Sequence, residues 1–332
     1  MSLSPEQLAF FNEKGYLVIP DYLSPTETTS LIDETNQLLE TFPLDTHPLT
    51  QFTTGDDDDK NEKKAHVGDD YFLTSGDKVR FFFEPDAFTT TTTTTQPGGE
   101  GEEENTKPTL TKPKHLAINK IGHALHALSP PFEKLTLNDR NAAIARSLGF
   151  AGPRVLQSMV ICKQPSIGGA VPAHRDSEFL YTRPPSAVGW WIALQDAGPG
   201  NGTLGMYAGS HRGRAGGGIR RRFVRQFDGE GRTVGTGFVE NETDRLPRKR
   251  QGEEEQEDRE DVDGSQEGLE VLDIKAGSLV LIHGNVLHKS EKNTSLRSRF
   301  AYTFHVIEGA QGWEYDGQNW LQPPEEGFSR LY

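Results

Sequence analysis

The chain of 332 residues has one cysteine, three methionines and four tryptophans, and only 33% of it is hydrophobic. The lone Cys162 excludes an internal disulfide framework and suits a reducing compartment, where it reads as a small buried hydrophobe. No apolar run is long enough to span a bilayer, and Met1-Ser-Leu-Ser-Pro-Glu6 lacks the basic-then-apolar order of a secretory signal. Ser329-Arg-Leu-Tyr332 lacks the Ser-Lys-Leu peroxisomal address. A soluble cytoplasmic protein is the expectation. Acids outnumber bases, 49 to 35, and Asp56–Lys60, Glu100–Glu104 and Glu253–Asp263 together carry the formal charge of the whole chain, −14. The rest is close to neutral, so net charge says little about partners. Basic residues are little interleaved with aromatics, and nucleic acid is not an expected partner.

What remains organises into one large domain. Thr89–Thr95 is a run of seven threonines leading into Gly, Glu and Pro. With the acidic runs it marks expected disordered inserts at 53–66, 88–113 and 240–268. Ser4-Pro-Glu-Gln7 and Ser24-Pro-Thr-Glu27 each place a capping serine before proline, with Gln or Glu three residues on, and so predict helix starts. Tyr16–Ile19 between them reads as a strand. Tyr71–Leu73 and Val79–Phe83 are further expected strands, Gly122–His126 and Arg140–Leu148 expected helices. Beyond residue 153 the strand candidates Val155–Lys163, Trp190–Leu194, Gly277–Ile282 and Arg299–Ile307 are spaced by Gly/Pro turns. Mainly β sequence with helices gathered near the N-terminus suggests a jelly roll with those helices packed on one sheet.

The chemistry concentrates at His174-Arg-Asp176. In extended backbone residues i and i+2 point to one side, so His174 and Asp176 can share a metal ion. Ten histidines and 49 acids give about 1.5 such pairs by chance, so the motif needs company. It finds company in His288, after Leu279–Ile282 and the turn residues Gly284 and Asn285. Two histidines and a carboxylate on one face leave the open positions that a non-haem iron(II) oxygenase requires. The strand that follows sets Phe300, Tyr302 and Phe304 on one face and Arg299, Ala301, Thr303 and His305 on the other. An arginine on the small-residue face points into a cavity, and Arg297 shares its parity. His-Arg-Asp also occurs in protein kinases, but Tyr181 stands where their asparagine belongs and no Gly-rich loop precedes it. His211 and His283 each lie beside a turn glycine and read as structural.

These residues carry a family resemblance. His174-x-Asp176, Asn201–His211, Gly277–His288 and Arg299, with the opening Phe11–Pro20, resemble the phytanoyl-CoA dioxygenase family of Fe(II)/2-oxoglutarate oxygenases. Ser75–Glu84, Ile118–His126 and Asn319–Pro323 extend the likeness over nearly the whole chain outside the inserts. Ala208 departs from the family, which usually has proline there.

The resemblance implies a double-stranded β-helix, cupin-like, with iron(II) held by His174, Asp176 and His288 as the catalytic set. It implies 2-oxoglutarate chelating the metal and reaching Arg299 with its far carboxylate. The spacing of eleven residues after the distal histidine selects Arg299 over Arg297. Lys120, Met159, Trp191 and Ser290 would line the same co-substrate pocket. Dioxygen would be consumed, succinate and CO2 released, and a small molecule or acyl-CoA-type substrate hydroxylated. Asp176 matters for this outcome, because a small residue there would open a halide position, as in related halogenases. The alternative is a sensor that binds metal and 2-oxoglutarate with little turnover, but the full ligand set with Arg299 and Lys120 favours the enzyme. Arg212, Arg214, Arg220, Arg221, Arg222 and Arg225 around Gly216-Gly-Gly218 form either a lid for an anionic substrate or a solvated loop.

Overall fold

Alternation along Arg299–Glu308 divides the molecule into an outer and an inner face. A computed structural model describes residues 1–52, 70–92, 106–212, 219–241 and 268–332. Phe300, Tyr302 and Phe304 join a core that includes Leu31, Leu39, Phe132 and Ile144 from the helices. Trp190 stacks on Phe304 at 5.4 Å, Phe132 packs on Tyr302 at 4.6 Å, and the Tyr302 hydroxyl meets Thr136 Oγ1 at 2.6 Å. Arg299, Thr303 and His305 point the opposite way, into a cavity.

The strand is central to an antiparallel, eight-stranded major sheet. Its order is Tyr16–Ile19, Leu279–His283, Val188–Ala193, Arg299–Glu308, Pro153–Lys163, Ile118–His123 and Val79–Phe83, with Ser329–Arg330 added beside Pro153–Lys163. The facing minor sheet runs Leu269–Val271, Leu204–Tyr207, His288–Ser290, Val171–His174. Trp191, Leu204, Met206 and Ile282 close one end of the space between the sheets, and Phe72, Phe82, Leu180 and Trp320 the other. Double-sheet closure with helices on the major sheet's outer face is the jelly roll expected from the sequence.

Both N-terminal helices begin as the serines predict. Pro5–Lys14 and Pro25–Thr41 each have a reciprocal capping box, from Ser4 with Gln7 and from Ser24 with Glu27. A buried stripe of Leu31, Thr35 and Leu39 then fixes the second helix on the core.

Three local expectations are corrected. Tyr71–Leu73 lies in the helical turn Asp70–Leu73, closed by Thr74 N donating to Asp70 O at 3.1 Å. A three-residue apolar run cannot distinguish the two states. Gly122 and His123 end the strand Ile118–His123, and the helix starts only at Leu125. Gly122 is opposite Met159, whose Cβ lies 3.1 Å from where a side chain would begin, so close strand pairing uses the glycine. Within the expected insert 88–113, Phe88–Thr92 pairs with Thr106–Leu110 as a hairpin. β-Branched threonines suit that conformation. The insert at 53–66, most of that at 240–268, and Arg214 with Gly216–Gly218 lie outside the described residues.

Lys163 ties the strands to the site. It is fully buried and donates to the carbonyls of Gly169 at 2.6 Å and Glu291 at 2.7 Å. Those carbonyls precede His174 and follow His288 in the chain. Lys163→Met should therefore cost about 1–3 kcal/mol by orphaning buried acceptors. Urea unfolding should show this loss together with weaker metal retention, and unchanged stability would remove Lys163 from that role.

Candidate metal centre

His174 closes the strand Val171–His174, and Asp176 opens the helical turn Asp176–Phe179. The pair is thus not within one strand, as first expected. Arg175 between them stays extended (φ −118°, ψ 130°), which keeps both side chains on one side. His288 starts the neighbouring strand and stands opposite His174 in register. Sheet pairing, across more than a hundred residues, makes the cluster.

Its atoms are oriented before any ion is considered. His174 Nδ1 donates to Pro172 O at 2.9 Å and His288 Nδ1 to Val286 O at 3.1 Å. Both imidazoles thereby present Nε2, which lies 3.5 Å (His174) and 3.7 Å (His288) from Asp176 Oδ1. One ligand atom from each residue falls within 4.8 Å of the others. The other carboxylate oxygen, Oδ2, meets His305 Nε2 at 3.3 Å. Asp176 therefore offers one oxygen to the cluster and gives the second to His305. Gly189 makes room for this contact, since a side chain there would begin 3.2 Å from Oδ2.

The electrostatics ask for a cation. Burial opposes charge on all three groups. It pushes the His288 imidazole down to about 4, while at His174 the bond and charge of Asp176 outweigh it and raise the imidazole. Burial likewise opposes ionisation of Asp176, but the neighbouring histidines hold it well below the usual carboxylate range. One carboxylate cannot hold both histidines charged. A divalent ion fits the set as two neutral imidazoles and one carboxylate, each fixed by its second hydrogen bond.

The metal cluster lies in a cavity of about 180 Å³. Lys120, Met159, Trp191, Ser290 and Arg299 line the same space. Arg299 is 1% exposed, and its Nη2 donates to Gly202 O at 2.7 Å. Its Nε and Nη1 are buried without a partner among the described residues. Burial lowers the guanidinium to about 9, so it stays charged at neutral pH. Arg297, on the same parity, is exposed outside the cavity. Lys120 Nζ lies 3.4 Å from the Phe52 ring centroid, and burial brings its ammonium down to about 7.

Other residues fall as follows. His211 and His283 pair with each other at 4.8 Å and bond to nearby backbone, away from the metal cluster. Arg221 bonds Glu178 at 3.3 Å, Arg222 bonds Asp316, and Arg225 donates to Trp320 O at 2.7 Å. Sequence reasoning missed His305, Gln157 and His123, which all line the cavity. For His305 a signal existed, its shared parity with Arg299; His123 and Gln157 carried none.

Comparison with known proteins gives the site a family. The model for Phytanoyl-CoA dioxygenase (PhyH) matches residues 11–301. Phytanoyl-CoA dioxygenase domain-containing protein 1 from Bos taurus is 41% identical over 99% of both chains. The chain belongs to the phytanoyl-CoA dioxygenase family. It is accordingly an iron- and 2-oxoglutarate-dependent dioxygenase in class. Phytanoyl-CoA dioxygenase from Arabidopsis thaliana is 38% identical over 97% of this chain and 94% of its own. Two solved structures share the fold. The epimerase SnoN, in complex with Fe3+, alpha ketoglutarate and nogalamycin RO, has a TM-score of 0.53 at 15% identity, covering 98% of this chain and 92% of its own. EctD from S. alaskensis with bound Fe has a TM-score of 0.53 at 18% identity, covering 92% and 77%.

Single replacements His174→Ala, Asp176→Ala and His288→Ala should each lower iron(II) retention after dialysis by at least about ten-fold. His211→Ala and His283→Ala should retain it. Equal metal content across all five variants would contradict the ligand assignment.

Proposed function

We propose that the chain hydroxylates a small molecule, using iron(II) on His174, Asp176 and His288 and 2-oxoglutarate anchored on Arg299. The observation that carries this is the pair of buried, unpartnered donors on Arg299, in the same cavity as a preoriented His-Asp-His set. A buried guanidinium with two free N–H groups needs an anion, and a carboxylate matches its fork. The donor set suits iron(II) with open positions, and the far carboxylate of 2-oxoglutarate suits Arg299.

When bound, iron(II) with 2-oxoglutarate and dioxygen supplies the oxidation: the keto acid becomes succinate and CO2, with one oxygen atom going to succinate and one to substrate hydroxyl. The protein's own part is binding and aim. Arg299 and Lys120 neutralise the co-substrate's distal charge, and Gly202 O fixes the arginine fork. Trp191, Met159 and Leu204 exclude water from that half. Asp176 would help hold the ion through Oδ1 while Oδ2 stays with His305, and a carboxylate rather than a small residue here favours hydroxylation. We read residues 1–332 as one domain carrying this site. An anionic or acyl-CoA-like substrate draws no support from Arg221, Arg222 or Arg225, because each is engaged inside the protein.

Anaerobic addition of iron(II) and 2-oxoglutarate should give a visible charge-transfer band, and admitting air with substrate should give succinate. No band and no succinate would defeat the reading. A band with no succinate for any substrate tried would favour a binding protein. Arg299→Ala should keep iron but lose the band at moderate 2-oxoglutarate.

The lysine adds a pH test. Its ammonium, lowered to about 7, is lost from the free protein above that pH, whereas bound carboxylate restores it. Binding then takes up a proton, so affinity should fall above pH about 7, approaching ten-fold per pH unit. Arg299 stays charged until about 9, but Lys163, which lines the same cavity, is also lowered to about 7, so the Lys120 variant decides which lysine the slope reports. Band titrations at about pH 6.5 to 8.5 should show the slope, and Lys120→Met should flatten it.

A further inference from the structure

Among side chains lining the cavity, two keep a buried polar atom with no partner among the described residues. One is Arg299, whose free atoms are donors; the other is Gln157, whose free atom is the acceptor Oε1. They lie far apart. Gln157 stands opposite His305 in register, and Arg299 is six residues earlier on that strand, about 20 Å away along an extended chain. The donors await an anion, and by the same physical rule the acceptor awaits a donor.

The neighbours of Gln157 lead back to Asp176. The Asp176 carboxylate can only accept, so His305 donates to it through Nε2. Gln157 Nε2 lies 3.4 Å from His305 Nδ1, and Oε1 is the buried atom without a partner among the described residues. Gln157 is 5% exposed, so bulk solvent does not satisfy it. Around this end the walls are mainly aromatic. Phe72 stacks on Trp320 at 4.5 Å, both contact the His123 ring, and Phe179 packs on Phe223 at 5.3 Å. Burial holds His123 well below its ordinary value, hence neutral. Lys163 is opposite Arg299 in register and Lys289 is held by Glu291 at 3.0 Å, while the Lys120 ammonium rests on the Phe52 ring, at the border of this aromatic cluster.

We infer that this end binds a neutral, aromatic or apolar substrate bearing one hydrogen-bond donor, a hydroxyl or amide N–H, which Gln157 Oε1 accepts. The inference rests on the proposed dioxygenase reading and adds its substrate class. Gln157 touches substrate, and His305 is a positioning residue that links this contact to Oδ2 of Asp176.

The test uses the full chain with a matched set: 2-phenylethanol, its methyl ether, and phenylacetate. Tryptophan fluorescence reports occupancy, since Trp191 and Trp320 both line the cavity. Wild type should bind the alcohol about ten-fold more tightly than the ether, which keeps size but lacks the donor, and should bind phenylacetate more weakly than the alcohol at saturating 2-oxoglutarate. Gln157→Leu should bring alcohol and ether to equal affinity. Equal binding of the two by wild type, preference for the anion, no saturable binding of the alcohol, or a preference that survives in Gln157→Leu would each overturn the inference. The wild-type comparison needs no variant to fold. The iron–2-oxoglutarate band, recorded on the same samples, separates the outcomes: its absence defeats the dioxygenase reading, while a normal band without donor preference defeats this inference alone.

Discussion

The site depends on one buried carboxylate used in two directions. Asp176 aims Oδ1 at two imidazole nitrogens and Oδ2 at a third, and none of these contacts is closer than 3.3 Å. Those distances leave space for an ion on one side and a hydrogen bond on the other. Taking a carboxylate out of water is costly unless each oxygen is compensated. The surrounding structure supplies that compensation from three separate strands, so the fold and the metal centre are specified by the same contacts.

The two sheets divide the labour. The minor sheet brings His174 and His288 into register, and the major sheet contributes His305, Gln157, Lys120 and Arg299 from strands whose outer faces are locked against helices. A side chain on the inner face cannot drift without disturbing its outer neighbours, because successive residues alternate across a packed layer. Phe304 is held by Trp190, and this holds Thr303 and His305 on either side of it. The catalytic geometry is therefore backed by ordinary core packing. Lys163 adds a cross-brace, joining the chain before one histidine to the chain after the other.

Much of this was legible in the sequence where a local rule acts alone. The capping boxes at Ser4 and Ser24 depend on residues three apart, and the alternation around Arg299 depends on period two; both read correctly. His288 became legible through family likeness, since no local rule joins it to His174. What stayed hidden depends on pairing. Nothing in Val155–Lys163 says that Gln157 will meet His305, because that contact is made by sheet register. Gly122 looked helical beside Ala124 and Leu125, but close approach of Met159 decides for the strand. The arginines after Gly-Ser-His suggested a binding loop by charge alone, and Arg221 and Arg222 instead meet Glu178 and Asp316, partners that only tertiary structure supplies.

The unsatisfied atoms complete the logic of the cavity. Lys163 and Asn293 are each bonded to two backbone carbonyls, although several other buried side-chain atoms stay without a partner among the described residues. Of those open atoms, the ones on Arg299 and Gln157 belong to residues that line the cavity, which makes them informative about what it holds. Arg299 meets no acid, is braced by one carbonyl and is left with two donors. Gln157 meets His305 through its amide nitrogen and is left with one acceptor. An anion at the first and a neutral donor at the second would lie six residues apart in register along Arg299–Glu308, so co-substrate and substrate need not compete for the same polar groups. That separation would let one cavity bind a dianion and an apolar molecule through different side chains.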